Sequence, residues 1–102
     1  PAVRGRGAGG LPRLVLFVSG SERNSTAARA RLEKLVAGPL GERAEVEVVD
    51  VFRDSERALA ERVVVTPTLL VSCGAERARV VGSLEDEGRV LEALRAVGAP
   101  VA

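Results

Sequence analysis

Apolar positions along this chain fall into short blocks set off by glycine, proline or charge, and the spacing inside each block predicts its element. Arg13 to Ser19 (RLVLFVS) is almost continuously apolar, as a central strand covered on both faces would be. Gly20 closes it, and the polar loop behind it offers Asn24 or Ser25 to cap a helix over Thr26 to Ala37. In that helix Ala28, Leu32, Leu35 and Val36 form one apolar stripe, and Gly38-Pro39 is expected to stop it through a left-handed glycine cap. Glu45 to Val51 sets Val46 and Val48 against Glu45 and Glu47, the alternation of a half-exposed edge strand. Asp54 is placed to cap a short helix over Ser55 to Arg62, with Ala58 and Leu59 as its apolar face. Arg77 to Val81 reads as a strand behind a turn at Cys73 to Glu76. Ser83-Leu84-Glu85-Asp86 resembles a capping box, opening a helix striped by Val90, Leu91, Leu94 and Val97, with Glu85 and Arg89 spaced to pair. Gly98 and Pro100 end it.

The stretch Val63 to Leu70 (VVVTPTLL) organises the rest. Proline cannot donate to a sheet ladder, so Pro67 belongs at a strand entrance, with a buried strand over Thr68 to Ser72. The order is then β-α-β-α-β-β-α, an α/β fold in which two crossover helices join parallel strands before a hairpin and a last helix. This resembles the minimal thioredoxin-like arrangement, a four-stranded mixed sheet with helices on both faces. The resemblance implies a cis peptide at Thr66-Pro67, with Thr66, Pro67 and Thr68 forming a structural corner.

A length of 102 residues suits one domain, expected over 13–98 between a flexible Gly/Arg-rich tail at 1–12 and a short tail at 99–102. Phe17 and Phe52 are the only aromatic residues, so the core is aliphatic and the chain lacks the stacking platforms of single-strand nucleic-acid binders. The net charge of +1 gives no global field for nucleic acid or membrane, and no apolar run reaches the length of a membrane span. A cytoplasmic protein is expected. The single cysteine, Cys73, cannot form an internal disulfide and reads as a buried structural thiol.

Candidate chemistry is sparse. Without histidine and with one cysteine, metal ligation has little to draw on, and no cofactor is expected. Thioredoxin-type exchange needs a cysteine where the first strand meets the first helix. Here that loop is Gly20-Ser21-Glu22-Arg23-Asn24-Ser25, without a cysteine; Ser21 and Ser25 leave open the thiol activation by serine that glutathione transferases use at this position, and a degenerate thioredoxin-like enzyme is a further alternative. Glu45 with Glu47 and Glu85 with Asp86 read as solvated faces rather than acid/base pairs. The glycines of the N-terminal segment precede the first strand, the wrong side for a phosphate-cradling loop.

LVLFVSGSERNS, then VEVVDVFRDSERALAERVVVTPTLL, then VVGSLED, resemble the KaiB family of circadian clock proteins and the KaiB-like sensor domain of SasA histidine kinases. The resemblance runs from about Arg13 to Val97. It rests on Gly20, Asn24 and Ser25 of the loop, Asp50 at a strand end, the turn Thr66 to Leu69, and Gly82 before the last helix. It implies a non-enzymatic regulator that binds a KaiC-type RecA-like ATPase and modulates its phosphorylation or partner access. The alternative within it is a sensor domain of a SasA-type histidine kinase, and homo-oligomers are compatible with either reading.

KaiB-family proteins are also known for switching between a tetrameric ground state and a thioredoxin-like binding state. This chain has Cys73 to Glu76 where the family carries prolines, and Ser83 where it carries Asp. DSERALAER and LEDEGRVLEALRAV favour helix and lack strand alternation, so the thioredoxin-like state is expected at rest. An edge strand can accept a partner's strand. Glu45, Glu47, Val49 and Asp50 of the edge, with Arg53, Asp54 and Arg57 beside it, are therefore the candidate partner-binding residues.

Overall fold

A computed structural model describes residues 11–38 and 44–99. Residues 1–10 of the expected 1–12 tail, Pro39, and residues 100–102 of the expected 99–102 tail lie outside the described residues. The elements are β1 (Arg13–Val18), α1 (Arg23–Ala37), β2 (Glu45–Asp50), α2 (Ser55–Ala60), β3 (Thr68–Cys73), β4 (Glu76–Val81) and α3 (Glu87–Ala96). They build a four-stranded sheet in the order β2-β1-β3-β4, with β1 parallel to β2 and antiparallel to β3, and β4 antiparallel to β3.

The second crossover therefore does not join parallel strands, as the sequence pattern suggests. α2 rises only about 9 Å, and the segment behind it, residues 61–67, turns over the end of β1, where Thr66 bonds Ser19, instead of running back along the sheet. β3 therefore enters beside the end of β1, where Thr68 pairs with Phe17.

Strand alternation sorts the core into two layers. Leu14, Leu16 and Val18 of β1, Leu69 and Val71 of β3 and Val80 of β4 face α1 and α3, meeting Ala28, Leu32 and Leu35 on one helix and Val90, Leu94 and Val97 on the other. On the opposite face Val15, Phe17 and Val49 pack against Ala58 of α2, with Val51, Val63 and Leu70 at the margin. Pro12 and Ala99, just outside the expected domain bounds, are also buried, and the Pro12 carbonyl accepts from the Glu45 N–H at 2.9 Å.

Several boundaries differ from the sequence pattern for local reasons. α1 begins at Arg23 because the Glu22 carboxylate caps it, accepting from Asn24 N–H at 2.9 Å and Ser25 N–H at 3.0 Å. Those two orphan donors hold the Glu22 carboxyl below its usual range. α1 ends at Gly38 with φ −115°, outside the left-handed region. α3 opens at Glu87 under an Asp86 cap rather than behind Ser83. Glu85 therefore precedes the helix and accepts from the Ser83 hydroxyl at 3.3 Å, and among the described residues it forms no ion pair with Arg89. Leu59 points outward from α2, and Cys73 is half-buried rather than enclosed. Among the described residues no helix is long and apolar enough to cross a membrane.

Candidate functional site

Four motifs that are far apart in the sequence meet at the end of the sheet where β1 and β2 finish and β3 begins. The Thr66-Pro67 peptide is cis, and Pro67 and Thr68 are buried. The Thr68 hydroxyl donates to the Val65 carbonyl at 2.7 Å, fixing the bend before the strand. Thr66 hydrogen-bonds through its hydroxyl to that of Ser19, the residue following β1. Ser25, 1% exposed, turns its Oγ inward to accept the Ser19 N–H at 3.0 Å. The sequence points to Ser21 to Ser25 as the loop opposite the proline corner. In the fold Ser19 makes that contact, Ser25 supports Ser19, and Ser21 is exposed.

Gly20 takes φ +52°, a conformation costly for a side chain, and its N–H donates to Asp50 Oδ1 at 3.3 Å. The same carboxylate oxygen accepts from the Phe52 N–H at 2.9 Å, so Asp50 ties the end of β1 to the turn after β2. Gly82, with φ +111°, donates its N–H to the Pro67 carbonyl at 2.9 Å. Gly20, Ser25, Asp50, the Thr-Pro-Thr corner and Gly82 thus belong to one hydrogen-bonded knot. Asn24 stays exposed, contributing its backbone N–H to the α1 cap. A hydroxyl engaged as Ser25 is, buried and accepting a backbone N–H, is occupied structurally rather than poised as a nucleophile.

Beside the knot lies the β2 edge. Glu47 is the electrostatic centre, with Arg57 gripping both of its carboxylate oxygens and Arg13 reaching Oε1 at 2.8 Å. The hydrogen bonds from Arg57, followed by those from Arg13, bring the Glu47 carboxyl down to about 2, and the Arg57 guanidinium is raised in return. Glu45 is exposed at the edge, 3.9 Å from Arg13. Val49 is 5% exposed against Phe17 and Ala58, so its side chain is core and only its backbone lies on the edge. Asp54 caps α2 by accepting the Arg57 N–H at 3.2 Å, and Arg53 is exposed.

Sequence periodicity misses one feature of this end of the molecule. Phe52 is 78% exposed and Val64 88%, and Val65, beside the Ser19–Thr66 contact, is 48% exposed. The Phe52 ring lies against Gly20, 3.8 Å from where a Cβ would stand. Leu59 on the outer face of α2 is 76% exposed. The missing signal is the shortness of α2, which leaves apolar residues on both sides of it without cover.

A family model described as the KaiB domain matches residues 15–96. The circadian clock protein KaiB3 of Synechocystis is 31% identical over 78 residues, covering 76% of this chain and 76% of that protein. The circadian clock oscillator protein KaiB of Prochlorococcus marinus is 31% identical over 78 residues, 76% of this chain and 66% of its own. Among solved structures, Fasciola hepatica thioredoxin superposes with a TM-score of 0.72 at 22% identity, covering 85% of this chain and 82% of that one. That likeness is one of fold alone.

Proposed function

This chain belongs to the KaiB family of circadian clock proteins, and on that premise we propose that it is a non-enzymatic docking module for a KaiC-type RecA-like ATPase, modulating the ATPase's phosphorylation or its access to other partners. The observation that carries the reading is the exposed apolar set Phe52, Val64 and Val65 next to a strand edge that is unpaired among the described residues. Solvent-facing aromatic and β-branched residues grouped beside a charged rim are what a protein interface requires. The Asp50 carboxylate fixes the backbone at Phe52 through its N–H, and the ring itself is presented to solvent. Arg53, exposed, and the pair Arg57 with Glu47 give the rim its charge pattern, and Glu45 to Asp50 offers backbone groups to an added strand.

The seating of Ser19 and Ser25 within the knot supports a scaffold role for the corner rather than a catalytic one. The module rests in the thioredoxin-like state, in keeping with the helix-forming composition of α2 and α3. The test is a pull-down against the host's KaiC-type ATPase. Phe52→Asp, and separately Arg53→Glu with Arg57→Glu, are expected to lower retention at least tenfold while far-ultraviolet circular dichroism stays unchanged. Undiminished capture by both variants would remove this face from the reading.

A further inference from the structure

The shortness of α2 leaves a second feature, a groove on the same sheet face over β3 and β4. Its volume is about 460 Å³, and Val15 and Leu70 supply its apolar floor. Arg13 and Arg57 stand on one side and Arg77 and Arg79 on the other. Cross-strand register explains the placement. Ser72 pairs with Arg77 and Leu70 with Arg79, so both arginines rise from β4 on the face to which Leu70 belongs.

The charges in the groove are unequal. Among the described residues Glu61 is the only acidic one in its lining, and it is engaged by Arg77 at 3.3 Å. Glu47 is taken up by Arg57 and Arg13. Arg79 donates to the backbone carbonyls of Glu61 at 2.9 Å and Arg62 at 3.3 Å, closing the end of α2. Those acceptors orient its guanidinium but carry no formal charge to neutralise it. An oriented, uncompensated guanidinium above an apolar floor is complementary to a carboxylate or phosphate attached to a hydrophobic body.

The geometry points to this groove as a binding site for a small amphipathic anion, an aromatic or branched aliphatic acid whose body covers Val15 and Leu70 while its acidic group meets Arg79 and Arg77. The site does not depend on the ATPase-docking reading, and either can fail without the other. The volume lies within the range of small-molecule sites. Arg77, with 73% of its side chain exposed, can swing from Glu61 toward the ligand at little cost.

The probes are 2-naphthoate and its neutral analogue 2-naphthamide, titrated into the uniformly ¹⁵N-labelled chain and followed by amide chemical shifts. Naphthoate is expected to bind about tenfold or more tightly than the amide, with shifts centred on Leu70, Ser72 and Arg77 to Arg79. Arg77→Gln and Arg79→Gln should each weaken naphthoate several-fold and leave the amide unchanged. Arg77→Gln is the variant free of folding consequences, because the side chain it removes is exposed. Equal binding of the two probes, shifts away from the groove, or naphthoate affinity unchanged in Arg77→Gln would overturn the assignment.

Discussion

Replacing Glu47 by Gln removes one negative charge from between two arginines and leaves the shape of the side chain intact. In a dry site, a carboxyl moved from 4.5 to about 2 would contribute roughly 3 kcal/mol. This site is not dry: the side chains of Glu47, Arg57 and Arg13 are 36%, 33% and 51% exposed. Water screens the attraction, and exposed pairs are worth at most about 1 kcal/mol. Two arginines on one carboxylate, one of them gripping both oxygens, place the expectation at the top of that range, about 1 kcal/mol at neutral pH.

The sign with pH follows from the depressed value. The unfolded carboxyl titrates near 4.5 and the folded one near 2, so the contribution is complete above about pH 5 and is lost as pH falls through that interval. Urea denaturation of the wild type and Glu47→Gln should differ by about 1 kcal/mol at pH 7 and converge at about pH 2, and 0.5 M salt should shrink the difference. A double cycle with Arg57→Gln isolates the pair. A difference that persists unchanged at pH 2, or one below about 0.2 kcal/mol at pH 7, would refute the account of Glu47 as the electrostatic centre of the edge.

Two further outcomes follow from the packing. Ser25→Ala strips the acceptor from the Ser19 N–H inside the knot and should cost about 1 to 2 kcal/mol, read as a lower urea midpoint. Phe17→Ala should cost about 3 kcal/mol or more, because the α2 layer has few other large buried side chains, and hydrogen exchange at Ala58 and Glu61 should accelerate more than in α1.

Most of the architecture was legible in the residues. The apolar stripes of α1 and α3, the continuous run of β1 and the half-polar run of β2 each state their own burial, because periodicity reports which face an element hides. Cap positions were less so. Glu22 is a weak capping residue on intrinsic preference, yet it caps α1, because Ser25 is drawn inward by Ser19. The direction of β3 depends on contacts at the end of β1, Thr66 with Ser19 and Thr68 beside Phe17, which no local pattern contains.

The candidate site divides in the same way. The family resemblance readable in the sequence singled out Gly20, Asn24, Ser25, Asp50, Thr66 to Leu69 and Gly82, and the loop after the first strand contains no cysteine. Only the tertiary structure decided that most of these residues form one knot, that Val49 is core, and that Phe52 and Val64 are left outside. It also decided that Arg77 and Arg79 stand across a groove from Arg57, although twenty residues and a turn separate them. The physical reason is that hydrogen bonds and charge pairs between distant segments are created by the order and direction of the strands. Those are properties of the assembled sheet, and no single stretch of the chain encodes them.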